Sequence, residues 1–163
     1  MLNDNDIRRL LPHRSPMALL DGVVDCTDAR VHARFGAAGL EFHSRDCTFA
    51  RDADGFWPWA LVLEAWCQAA AIVMTRPWRA EGDRAAPAVL ISRLTSVRMP
   101  GAVALGETVD LYARITDRYP AATALSGYAR VGSRRVLEVE RLTASLRPFD
   151  DLVTAAGNGD EHG

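Results

Sequence analysis

The stretch Pro58 to Thr75 constrains this chain more than any other: it is apolar on nearly every side and interrupted near its middle by Glu64 and Gln68. Asp54-Gly55 makes a turn before it, and Pro58 suits a first helical turn, where its missing N–H would have no partner. Pro77 is the expected stop. From Phe56 to Thr75 the run is about the ~20 residues that cross a bilayer, but a carboxylate at mid-membrane is costly. A helix apolar on all faces is therefore expected to lie inside protein, buried all round.

Segments with strand periodicity flank it. Arg30 to Phe35 alternates, with Val31, Ala33 and Phe35 against Arg30, His32 and Arg34, and Thr108 to Ile115 does the same. Residues 18–25, 88–98, 122–131 and 135–147, rich in Val, Leu and Ile, complete the expected sheet. Gly106-Glu107, Tyr119-Pro120 and Gly132-Ser133 supply turns. In the last strand Leu137 and Val139 are apolar at odd positions, and Leu142, Ala144 and Leu146 at even ones. That parity switch requires a bulge near Glu140-Arg141. One long helix between strands joined by antiparallel turns makes an α+β fold. The domain is expected to span residues 1–149, followed by an acidic, disordered tail over 150–163.

Composition narrows the functions available. A net charge of −2, from 19 Arg and no Lys against 21 acidic residues, gives no reason to expect nucleic acid as a partner. Cys26, Cys47 and Cys67 form no CxxC pair, so neither a disulfide framework nor a metal site is expected. Met1 to Asp6 is polar and acidic, and a cytoplasmic location is expected.

Two motifs go further. Leu11-Pro12-His13-Arg14-Ser15-Pro16-Met17-Ala18-Leu19-Leu20-Asp21 resembles the LPHRxPxLLxD opening of FabZ-type 3-hydroxyacyl-carrier-protein dehydratases. Pro58-Trp59-Ala60-Leu61-Val62-Leu63-Glu64-Ala65-Trp66-Cys67-Gln68-Ala69 is similar to that family's PGxLxxEAxAQA helix. Leu90 to Val109 adds a weaker match, and the resemblance covers roughly residues 7–148. It implies a hotdog fold, an antiparallel sheet wrapped around one long central helix. It also implies conversion of 3-hydroxyacyl to trans-2-enoyl thioesters on the phosphopantetheine arm of an acyl carrier protein, without a cofactor. In that family a loop His from one subunit faces the helix Glu of the other.

The chain departs from that pattern twice. The loop His lies fourteen residues before the Glu, where this chain has Ala50, and Trp59 stands in place of the Gly after the proline. Asp52-Ala53-Asp54-Gly55-Phe56-Trp57-Pro58-Trp59 is similar instead to dehydratase-like proteins of aryl-polyene pathways, which work beside a second dehydratase-like protein. The resemblance thus implies a homodimer or, with a paralogue supplying the His, a heterodimer.

Among candidate residues, Glu64 is the catalytic one, with apolar surroundings expected to raise its pKa. The alternative is structural pairing with Arg93 or Arg98. Gln68, one turn on, either orients that carboxyl or satisfies backbone groups. Pro58, Trp59, Ala60, Gln68 and Trp57 are the substrate-binding candidates, and Trp57, Trp59 and Trp66 either line an acyl tunnel or pack the core. His13 and His43 are possible substitutes for the lost His, with packing or capping the default for His13 and surface for His43. Asp52 and Asp54 default to turn roles. Arg76, Arg79 and Arg84 either meet an acidic carrier protein or form a solvated face. Two rival functions stand beside dehydration: a non-catalytic hotdog partner and a hotdog acyl thioesterase.

Overall fold

The computed structural model describes residues 4–36, 55–80 and 87–148. His43, Cys47, Ala50, Asp52, Asp54, Arg84 and the tail 150–163 lie outside them, as do the side chains of residues 78–80. In chain order the elements are α1 (Asp4–Leu10), β1 (Leu20–Cys26), β2 (Arg30–Phe35), α2 (Trp59–Ala80), β3 (Ala88–Arg98), β4 (Val109–Arg118), β5 (Thr123–Val131) and β6 (Arg134–Arg147). The strands form one six-stranded sheet in the order β1-β2-β4-β5-β6-β3. Every neighbouring pair is antiparallel. Helix α2 packs on one face of it, as the α+β hotdog arrangement requires.

The alternation in the sequence becomes the two faces of this sheet. Val31, Ala33 and Phe35 oppose Ala113, Leu111 and Val109 and point into the core, while His32 and Arg34 oppose Tyr112 and Asp110 on the outer face. There His32 stacks on Tyr112, and Tyr112 on Tyr128, at centroid separations of 4.3 and 4.8 Å. Cross-strand ring pairs of this kind hold strand register.

The bulge expected in β6 is present. Leu125 pairs with Leu142 and Gly127 with Val139, so two steps along β5 face three along β6, across Glu140 and Arg141. The extra residue lets both Val139 and Leu142 face the core.

Gly127 marks the closest approach of sheet and helix. A Cβ there would stand 2.0 Å from the Tyr112 carbonyl oxygen and 3.0 Å from the Trp66 ring, with backbone on one side and a fully buried indole on the other. Gly127→Ala is therefore expected to destabilise the fold by about 3 kcal/mol, the upper range for an overpacked core. Urea unfolding measures it, and a change below ~0.5 kcal/mol would show that the sheet can flex away from Trp66.

Two expectations need correction, and one element was not expected. Helix α2 does not stop before Pro77 but carries it within its last turns. The ring fixes φ near its helical value, so the main loss is the N–H that the Val73 carbonyl would otherwise receive. Nor is α2 buried all round. Ala60, Glu64 and Cys67, spaced i, i+4 and i+7, are exposed or half-buried together with Leu61 and Leu63. The chain's own sheet leaves this stripe partly uncovered. Asp4–Leu10, for which no element was expected, forms α1, whose Ile7 and Leu10 lie in the core together with Leu11. Their i, i+3, i+4 spacing was the available signal.

Candidate functional site

The site is built on α2 and on the two segments that meet its first three turns. Residues 55–57, leading into the helix, are held by the loop after β3. The Trp57 N–H donates to the Val103 carbonyl at 2.8 Å, and the Leu105 N–H to the Gly55 carbonyl at 2.9 Å. That loop is fixed in turn by Glu107, which accepts the Ala104 N–H at 2.8 Å and pairs with Arg134 at 2.8 Å. Arg134 also donates to the Ala102 carbonyl. The Ala104 N–H and then the Arg134 guanidinium hold the Glu107 carboxyl below its ordinary pKa. At the helix start the Pro58 carbonyl accepts from Leu61 N–H at 2.9 Å.

This frame encloses a cleft of about 290 Å³ lined by Phe56, Trp57, Pro58, Trp59 and Val62 from the helix side and by Met99 and residues 101–103 from the loop. Trp57 is buried and tilts against Phe35 at 5.0 Å, whereas Trp59 is 64% exposed. Of the candidate substrate-binding residues, Trp57, Pro58 and Trp59 thus come together on one cleft. Ala60 does not line it and sits on the exposed stripe. Trp66 is core: it is fully buried, and its Nε1 donates to the Tyr112 carbonyl at 2.9 Å.

Farther along the helix, Glu64 meets the segment between α1 and β1. Gln68 is 1% exposed and resolves its two candidate roles by filling both. Its Oε1 accepts the Leu19 N–H at 3.1 Å, and its Nε2 donates to the Met17 carbonyl at 2.8 Å and to Glu64 Oε1 at 2.9 Å. The segment is secured again by Arg14, which donates to the Leu11 and His13 carbonyls at 2.9 and 2.8 Å. These bonds bring His13 Nε2 to 3.3 Å from Glu64 Oε1.

The structure brings His13 and Glu64 together and corrects one expectation. No helical or strand period links residues 13 and 64, so the signal lay only in the two motifs occurring together. The Glu64 pKa is not raised. The hydrogen bond from His13 lowers it most, burial opposes this, the bond from Gln68 lowers it further, and the carboxyl stays below its ordinary range. Neither Arg93 nor Arg98 holds it, since Arg98 pairs with Glu138 at 2.8 Å. Cys67, beside Glu64, has its thiol pushed up to about 12 by burial and by that carboxylate, so it stays protonated and is no nucleophile. Arg76 pairs with Asp28 at 2.9 Å. Among the described residues no three or more His, Cys, Asp or Glu side chains group as a metal site would need, and no helix is long and apolar enough to cross a membrane.

An antiparallel sheet around one long helix defines a hotdog protein. The family model of ApeP-like dehydratases matches residues 5–118, and the chain belongs to that family. It is 29% identical over 147 residues to a FabZ 3-hydroxyacyl-[acyl-carrier-protein] dehydratase of Clostridium beijerinckii, covering 88% of this chain and 99% of that protein. The FabZ of Anaeromyxobacter dehalogenans is 30% identical over 135 residues, covering 82% and 84%. Among solved structures, the dehydratase heterocomplex ApeI:P of Xenorhabdus doucetiae contains a chain that superimposes with a TM-score of 0.72 at 23% identity. The match covers 93% of this chain and 97% of that one.

Proposed function

We propose that this chain is a subunit of a 3-hydroxyacyl-carrier-protein dehydratase that forms trans-2-enoyl thioesters in polyketide, polyene or fatty-acid assembly. Its site is completed by a second hotdog dehydratase. The observation that carries this reading is the position of Glu64: 34% exposed, on a stripe of α2 that the chain's own sheet leaves partly uncovered. A carboxylate so placed can be reached both by a substrate and by a group from another subunit.

The edge of the sheet supports a partner. Strand β3 is an outer strand of eleven residues, and Leu90, Ile91 and Leu94 on it are 40%, 49% and 37% exposed. Long apolar edges are rarely left bare, because their free N–H and C=O groups and side chains invite another chain. With Ala50 at the loop-His position, a second subunit is also the natural source of an imidazole. The cleft beside Trp57 and Trp59 suits an apolar acyl or pantetheine segment, and the N-terminal turn of α2 points its positive dipole end toward it. Elimination of water changes no oxidation state overall, so the reaction calls for no cofactor. The ligand's phosphopantetheine belongs to the acyl carrier protein, and the assembly is expected in the cytoplasm.

The test is an assay of the purified chain on a 3-hydroxyacyl carrier protein, alone and co-expressed with a second hotdog dehydratase that carries the loop His. Enoyl product from the co-purified pair but not from either chain alone is the expected result. Free acid would identify a thioesterase. A pair whose activity the second dehydratase reproduces alone would make this chain a non-catalytic partner.

A further inference from the structure

Residues 99–108 join β3 to β4 as irregular backbone, and part of this stretch forms one wall of the cleft beside α2. A single guanidinium grips it at two points. Arg134, the first residue of β6, donates through Nη1 to the Ala102 carbonyl and through Nη2 to both oxygens of Glu107, at 2.8 and 2.9 Å. Glu107 Oε2 also accepts the Ala104 N–H at 2.8 Å. Between these anchors the stretch meets the lead into α2, where Phe56 bridges to Ala104 and the Trp57 N–H donates to the Val103 carbonyl. Two glycines fit the backbone to the grip. A Cβ at Gly101 would stand 3.3 Å from Arg134 Nη1 and 3.1 Å from the Arg135 carbonyl oxygen, so a side chain there would crowd the guanidinium. Gly106, at φ +88°, closes the turn in which the Glu107 N–H donates to the Ala104 carbonyl at 3.2 Å.

We infer that Arg134 and Glu107 are positioning residues for substrate binding: by fixing the loop wall they set the width of the cleft and the hold on the acyl or pantetheine segment. The inference rests on the reading of this cleft as the one that takes the substrate. Neither side chain lines it; from the loop, Met99, Gly101, Ala102 and Val103 do. An isolated surface ion pair would hold such a wall weakly. Here the carboxylate also takes a backbone N–H and the guanidinium a backbone carbonyl, and hydrogen bonds with one charged partner are about twice as strong as neutral ones. The exact place of the wall matters because packing is short-ranged. A gap of roughly 0.5–1 Å forfeits a quarter to a half of each dispersion contact. A loosened wall weakens the hold on substrate and transition state alike, which raises KM and leaves kcat unchanged.

The measurement is kcat and KM of the assembled complex for wild type, Arg134→Lys, Glu107→Gln and the double variant. The substrates are a 3-hydroxyacyl carrier protein and the corresponding pantetheine thioester without the phosphate. Arg134→Lys keeps the charge but not the planar fork that reaches Ala102 and Glu107 together. KM is expected to rise about tenfold in each single variant, on both substrates, with kcat within about twofold of wild type. The double variant should raise KM little further, because the two residues act through one connection. Thermal melting checks folding, and a merely structural role would lower the melting temperature at unchanged KM. Unchanged KM in both single variants, or full additivity in the double, would overturn the inference. So would a loss confined to the phosphate-bearing substrate, which would mean that Arg134 touches the phosphate itself. Ala102→Phe, which fills the cleft, tests the underlying reading separately: a wild-type KM there would overturn the cleft as the substrate's, whatever Arg134 and Glu107 do.

Discussion

In the assembled complex, Glu64→Gln is expected to lower kcat for dehydration by about 10²–10⁴-fold, the span for loss of a general acid–base group. KM should change little, because the amide keeps the shape of the carboxylate. The contacts around Glu64 make this substitution unusually clean. The two donors on Oε1 need only an acceptor, and a glutamine carbonyl oxygen in that position still satisfies Gln68 and His13. Its NH₂ then occupies the place of Oε2, where no described residue is bonded and where a proton can no longer be taken or given. Stability should fall by about 1 kcal/mol, because the lowered pKa of Glu64 means that its charged form stabilises the fold and a neutral amide does not. Thermal melting separates this outcome from unfolding, and enoyl formation reports the rate. A Glu64→Gln complex with wild-type kcat would leave the chain as a non-catalytic partner in the assembly.

How much of this was legible beforehand varies with the range of the interaction. Strands β2 and β3 have the expected bounds, and the bulge in β6 falls where the parity of Leu137 and Leu142 changes. Period-2 patterns are local and report which face is buried. The end of α2 was misread because a proline inside a buried helix costs one hydrogen bond, and packing of the preceding turns outweighs a local stop signal. Burial was overestimated on the stripe through Ala60, Glu64 and Cys67 because an apolar count along a helix does not say which of its faces the sheet covers. Glu64, Gln68 and the one-turn contact between them were legible, but their connections to the segment before β1 were not. The hydrogen bonds that Gln68 donates to the Met17 carbonyl and accepts from the Leu19 N–H cross about fifty positions of sequence, and no propensity or period carries that information. The sign of the Glu64 shift depended on the same unseen contact. Apolar neighbours alone would raise it, and one imidazole reverses the outcome.

Gln68 is where fold and chemistry depend on each other, and Gln68→Leu should show it as a loss of about 3 kcal/mol in unfolding free energy. Leucine nearly fills the glutamine's volume, so cavity formation contributes little. The cost comes from what the amide leaves behind. The Leu19 N–H is buried with a residue that is 0% exposed, so no water replaces Oε1, and such an orphaned group costs ~1–3 kcal/mol. The Met17 carbonyl belongs to a residue that is 39% exposed and can be partly rehydrated, which keeps the sum below twice that figure. Urea unfolding gives the total, and hydrogen exchange at the Leu19 amide should report opening there ahead of the sheet. With the segment loosened, Glu64 loses the Gln68 bond directly and the His13 bond through displacement of residues 13–19. Its titration midpoint in Gln68→Leu should then rise, because both contacts that lower it are lost or weakened. Adding His13→Ala to Gln68→Leu should move it little further, because residues acting through one connection are not additive. Full additivity of the two changes, in stability and in the Glu64 midpoint, would mean that Gln68 merely fills space and that His13 is placed by other contacts.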